Sequence, residues 1–137
     1  MTDTRIVTPS DGDEIPGEGL APQTRDAIVR AFRDASKQLP AYQRFSDAEI
    51  EGLYAAAYSS YSQADFEKAA QLLFLTALYR PFEPRYVKAQ AMALERCGCW
   101  RQAIEVYVRA LALVPDDAQC RAGRARCARL MGGKSVV

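Results

Sequence analysis

Histidine and asparagine are both missing from this 137-residue chain. Without histidine there is no side chain that titrates unaided near neutral pH. Catalysis would have to run on carboxylates, lysines or cysteines. Lysines are scarce, at Lys37, Lys68, Lys88 and Lys134, and there is no glycine-rich phosphate loop. No base is spaced to serve a nucleophile, so the sequence predicts a protein that is not an enzyme and needs no cofactor. Long apolar runs are also lacking: none approaches the ~18–20 residues of a membrane span. The opening Met1-Thr2-Asp3-Thr4-Arg5-Ile6 carries neither the basic nor the apolar region of a signal peptide. These absences predict a cytosolic location.

Neither sign of charge dominates. Eighteen basic residues against 17 acidic ones give a net charge of +1, which predicts no general affinity for nucleic acid or membrane. The charge is unevenly spread, with a net −4 over residues 1–26 and a net +5 over residues 118–137. Five arginines and lysines at the end of a chain read more simply as a solvated helix face than as a phosphate-binding surface. Four cysteines raise the question of a metal. Cys97 and Cys99 form a C-x-C pair, while Cys120 and Cys127 are separated by six residues. A zinc site wants ligand pairs two to four residues apart, often completed by histidine. In a reducing compartment these thiols read as small apolar groups, and no metal is predicted.

Apolar content of 49% and length suit one soluble domain. Residues 1–23 hold three of the seven prolines and three of the eight glycines, with many acids and few large apolar groups. Such a segment cannot bury enough surface to offset its ordering entropy, and disorder is expected there. From Thr24, a plausible N-cap, apolar residues recur at helical spacing through Ala27, Ile28, Ala31, Phe32, Ala35 and Leu39, until Pro40. Residues 24–45 are thus an N-terminal helix and linker. Ser46 with Glu49 then makes a capping box.

Beyond Ser46 the chain repeats itself at an offset of 34. Phe66 meets Trp100, Ala69 meets Ala103, Leu73 meets Tyr107 and Pro81 meets Pro115; Ala57 meets Ala91 and then Ala125. That period in helix–turn–helix units is the period of tetratricopeptide repeats. The alanines are expected where helices cross closely, the aromatics between helices, and the prolines at the end of each unit. The predicted fold is an all-α, right-handed helical solenoid. It has two full repeats (50–83 and 84–117), one extra helix from 118, and the N-terminal helix before them. Gly132-Gly133 falls where a turn is expected, closing a repeat domain over 46–133 and leaving 134–137 as a tail.

In a stack of helix pairs the first helices line the concave face. On the first of these, Tyr54, Tyr58 and Tyr61 recur at spacings of four and three, so they share one face. Leu53, Ala56, Ala57 and Ser60 are assigned to the core, which turns the tyrosines towards the concavity. Tyrosine offers a large apolar area, a polar tip and little rotamer entropy to lose. The second unit presents Arg85, Lys88, Met92, Glu95 and Arg96 at the equivalent positions. A clamp for a C-terminal carboxylate would need basic and asparagine donors instead. A purely structural adaptor is the remaining alternative.

The run from Ser46 to about Arg129 resembles the class II chaperones of bacterial type III secretion systems. The likeness lies in Leu53-Tyr54-Ala55-Ala56-Ala57-Tyr58-Ser59-Ser60-Tyr61, in Asp65-Phe66-Glu67-Lys68-Ala69 and in Glu83-Pro84-Arg85-Tyr86. The resemblance implies a cytoplasmic bacterial chaperone that keeps a hydrophobic translocator soluble before secretion. It further implies that an extended P-x-L-x-x-P-like segment of the cargo lies in the groove, its side chains in pockets formed by Tyr54, Tyr58 and Tyr61. Members of that family dimerise through the N-terminal helix, which makes Ile28 and Phe32 candidates for a homodimer contact. The chain departs from the family by stopping after the first helix of its third repeat, which leaves a needle subunit or an effector open as cargo.

Overall fold

The computed structural model describes residues 19–136, with side chains as far as Gly132, and among them the protein is entirely helical. Seven helices follow in order: α1 (Pro22–Ser36), α2 (Pro40–Gln43), α3 (Asp47–Ser62), α4 (Phe66–Tyr79), α5 (Pro84–Arg96), α6 (Trp100–Leu113) and α7 (Ala118–Val136). The disorder expected of residues 1–23 lies, for residues 1–18, outside the described residues. Pro22 and Gln23 are helical. Proline at the first helical position needs no N–H partner, so α1 starts there rather than at the Thr24 cap. Likewise Pro40 does more than end a helix, because it opens the single turn of α2.

α3 starts at the capping box: the Glu49 N–H donates to Ser46 Oγ at 3.0 Å and the Ser46 N–H to Glu49 Oε1 at 2.9 Å. The turns then repeat with the sequence. α4 and α6 begin at Phe66 and Trp100, 34 residues apart, and end at Tyr79 and Leu113 with the same offset. The α3–α4 and α5–α6 turns share one hydrogen-bond pattern. Asp65 N–H reaches Ser60 O at 2.9 Å, and Cys99 N–H reaches Leu94 O at 3.0 Å. In each the middle residue is left-handed, at φ 63° for Ala64 and 77° for Gly98. Glycine adopts that conformation freely, whereas alanine pays a steric cost. Arg80 and Val114, each just before a proline, also share a conformation, at φ −136° ψ 66° and φ −137° ψ 84°.

Each helix from α3 onwards packs on the next, and α5 also reaches α7. The core runs between them. Ala57, Ala69, Ala91 and Ala103 are completely buried, as close helix crossings require. Two assignments fail: Ala56 and Ala125 are exposed. Ala57 and Ala91 each face the second helix of their own unit, but among the described residues no helix covers that side of α7, and its equivalent Ala125 is exposed. On α7 the close approach is made by Gly123 against Tyr107. Nor do Gly132 and Gly133 form a turn, for α7 continues through them to Val136.

Cys120 and Cys127 lie in the core, where burial pushes their thiols up to about 12 and about 11. Cys97 and Cys99 flank the α5–α6 turn. The four thiols do not converge, and no group of three metal-ligating side chains occurs among the described residues. No helix among the described residues is long and apolar enough to cross a membrane.

The α1–α2 region is attached mainly through polar contacts. Arg33 donates to Phe82 O through Nε (3.3 Å) and Nη2 (3.2 Å). Arg80, only 6% exposed, donates to Asp47 Oδ1 and to the carbonyls of Tyr42 and Phe45, and stacks on the Tyr42 ring. That one guanidinium fastens the linker to the end of α4.

Candidate peptide-binding furrow

The furrow lies between α3 and α5. Spacings of four and three put Tyr54, Tyr58 and Tyr61 on the α5 side of α3. Together with Met92 and Ala89 of α5, and with Ala57 and Leu73 as floor, they line a cavity of about 130 Å³. The walls are nearly all carbon. Tyr54 and Tyr61 are half-buried and lean on their surroundings: the Tyr54 ring lies 5.1 Å from that of Tyr86, and Tyr61 meets Phe66 edge-on at 5.1 Å. Tyr58 stands out at 65% exposure. Two of the three rings therefore serve the packing as well as the cavity, and the third has its face free.

A charged cluster closes one end. Arg85 Nη2 donates to Glu51 Oε2 at 2.7 Å, and the Tyr86 hydroxyl donates to the same oxygen. These bonds, Tyr86 first and then Arg85, hold the Glu51 carboxyl below its ordinary range. Burial, with Glu51 beside it, pushes Tyr86 up to about 12. The Arg85 guanidinium carbon sits 4.9 Å from the centre of the Tyr54 ring. At the other end the Arg96 guanidinium carbon sits 5.8 Å from the centre of the Tyr61 ring and 4.2 Å from that of Phe66. Because Arg85 meets Tyr54 and Arg96 meets Tyr61, α3 and α5 run in the same direction.

Of the residues expected along this face, the structure brings Tyr54, Tyr58, Tyr61 and Met92 around one cavity, sets Arg85 against Tyr54, and turns Glu95 to Tyr107 and Arg126. Lys88 turns away to pair with Asp117 at 3.0 Å, in a separate cavity of about 280 Å³ towards α7. Of the dimerisation candidates on α1, Ile28 is 41% exposed and Phe32, 56% exposed, stacks on Phe82 at 5.8 Å. Sequence reasoning missed Leu73 in the floor, Ala89 beside Met92, and Glu51 as the partner of Arg85. The signal for Glu51 was its place one turn before Tyr54 on the same face.

A larger depression of about 920 Å³ lies between α4 and the α5–α6 turn, lined in part by Phe66, Phe74, Leu75 and Cys97. It is broad and open, and its polar side chains, Asp65, Glu67, Gln71 and Arg96, are solvated. No protein-family model and no curated protein matches the chain.

Proposed function

We propose that this chain is a tetratricopeptide-type repeat protein whose concave face holds an extended segment of another protein. Its role is that of a bacterial cytoplasmic chaperone, of the class II type III secretion kind, keeping a translocator or another secreted substrate soluble until export. The 34-residue recurrence of helix ends and turns supports the repeat reading. The observation that carries the function is the tyrosine-lined furrow between α3 and α5. Its cavity of about 130 Å³ is well below the ~300–1,000 Å³ of free small-molecule sites, and suits individual side chains of a polypeptide. Each well-buried anchor contributes ~1.5–3 kcal/mol before the ordering of the cargo is subtracted. The exposed faces of Ile28 and Phe32 support a homodimer contact on α1.

Co-expression with the secreted proteins encoded nearby, followed by co-purification, tests the proposal. Tyr58→Ala is the clean variant, because Tyr54 and Tyr61 also support the packing. It should lose cargo about tenfold or more while its melting hardly moves. Undiminished cargo in Tyr58→Ala overturns the assignment. An adaptor role in another assembly is favoured by one observation: Phe74, Leu75 and Leu78 leave α4 with an exposed apolar stripe away from the furrow.

A further inference from the structure

An arginine of the same helix stands near each end of the furrow, Arg85 paired with Glu51 and Arg96 with no ion pair among the described residues. Arg85 and Arg96 are both exposed, and each holds its guanidinium against a ring of the tyrosine stripe. They are eleven residues apart on α5, three helical turns, which places them on one side of the helix about 16 Å apart at ~1.5 Å per residue. Among the described residues Arg96 makes no hydrogen bond or ion pair; it lies over the rings of Phe66 and Tyr61, and its charge also acts on the neighbouring Glu95 carboxylate. Asp65 and Glu67 border the depression next to it without reaching it. Arg85 engages Glu51 and Tyr86 through Nη2 alone, which leaves Nε and Nη1 of its five N–H donors for a ligand. Both paired edges of a guanidinium include Nη2, so Arg85 can meet a carboxylate only through a single N–H, whereas Arg96 keeps both edges for a bidentate contact.

We propose that the furrow selects a segment in which apolar anchors are flanked on both sides by acidic residues. The anchors enter the tyrosine cavity, one flanking carboxylate meets Arg96 and the other meets Arg85. At ~3.3 Å per residue an extended chain covers the distance between the two arginines in about five residues, so the two acids stand four to six positions apart. This inference rests on the furrow being the binding site, and it adds the chemistry of the partner. It also gives the site a direction of discrimination: a segment with basic flanks meets the Arg96 cation and gains nothing from Arg85, which Glu51 already pairs, so it binds more weakly.

The test is fluorescence anisotropy with three synthetic peptides sharing one proline–leucine core and flanked by glutamates, glutamines or lysines. On the unaltered protein at low salt the glutamate peptide is expected to bind three- to tenfold tighter than the glutamine peptide. The lysine peptide is expected to bind weakest, and the spread should shrink as salt is added. In Arg96→Gln the glutamate advantage should fall by about half on a logarithmic scale, while the glutamine peptide binds as before; Arg96→Lys should restore part of it. Equal binding of all three peptides, with affinity lost in Tyr58→Ala, overturns the charge selection and leaves the furrow standing. Binding that is indifferent to Tyr58→Ala overturns the furrow itself. Should Arg96→Gln fail to fold, the peptide series on the unaltered protein still decides.

Discussion

Gly123 offers a sharp test of how α7 is docked. A Cβ built on it would fall against Tyr107 Cζ, 2.5 Å from Oη and 2.7 Å from Cε2. Tyr107 cannot step aside, because it is 1% exposed and its hydroxyl donates to Glu95 Oε1 at 2.7 Å. The helix must move instead. Overpacking of this kind costs about 1–3 kcal/mol, against a gain of about 1 kcal/mol from replacing glycine by alanine inside a helix. Gly123→Ala is thus expected to destabilise by up to about 2 kcal/mol, the closest approaches lying well inside van der Waals distance. Gly52, inside α3, has nothing within 4 Å of an added Cβ. There the helical term acts alone, and Gly52→Ala is expected to stabilise by about 0.5–1 kcal/mol. For a domain of this size 1 kcal/mol moves the melting temperature by roughly 3–6 °C. Thermal melts followed by circular dichroism should show the two variants displaced in opposite directions. Gly123→Ala melting as high as Gly52→Ala would refute the packing of α7 on Tyr107.

Other expectations follow from single features. Ala64 holds a left-handed conformation that Gly98 holds at the equivalent turn, so Ala64→Gly should raise stability by about 1 kcal/mol in urea titration. Arg80→Ala removes one buried guanidinium that serves Asp47 and the Tyr42 and Phe45 carbonyls; it should cost about 2–4 kcal/mol, and limited proteolysis should then cut fastest within residues 37–46. Glu95 is held below its ordinary 4.5 by hydrogen bonds from Arg126 first and Tyr107 second, against the opposing effect of burial. A carboxyl depressed in the folded state contributes stability that is present above pH 4.5 and lost as pH falls through its lower folded value. Glu95→Gln should therefore flatten the acid side of the stability profile below pH 4.5, and an unchanged slope there would show that the bond to Arg126 does not form.

The periodic features were legible because they are local. The 34-residue offset, the Ser46–Glu49 box and the buried alanines follow from spacing and side-chain size. The errors arose where one signal has two physical uses. Proline both ends and opens helices, so Pro22 and Pro40 proved to be first residues. Glycine pairs suggest turns, yet Gly132 and Gly133 sit in a helix that nothing obliges to stop. Ala125 obeyed the period but not the packing, since burial needs a covering helix and none among the described residues lies on that side of α7. In the furrow, the spacing of the tyrosines gave their common face, but not how deeply each sits. Depth depends on Tyr86, Phe66 and Leu73, which come from α4 and α5. Lys88 shared the helix face of Arg85 and Met92 and still turned to Asp117, 29 residues on, a pairing that no local pattern encodes.

Site-specific photocrosslinking shows which face of the protein the cargo touches. A benzophenone amino acid replaces Tyr58 in one variant and Phe74 in another, both exposed positions, and each is irradiated in cells that express the secreted cargo. An adduct is expected from position 58, mapping to an extended segment of the cargo, and none from position 74. Adducts from position 74 with none from position 58 would contradict the furrow assignment.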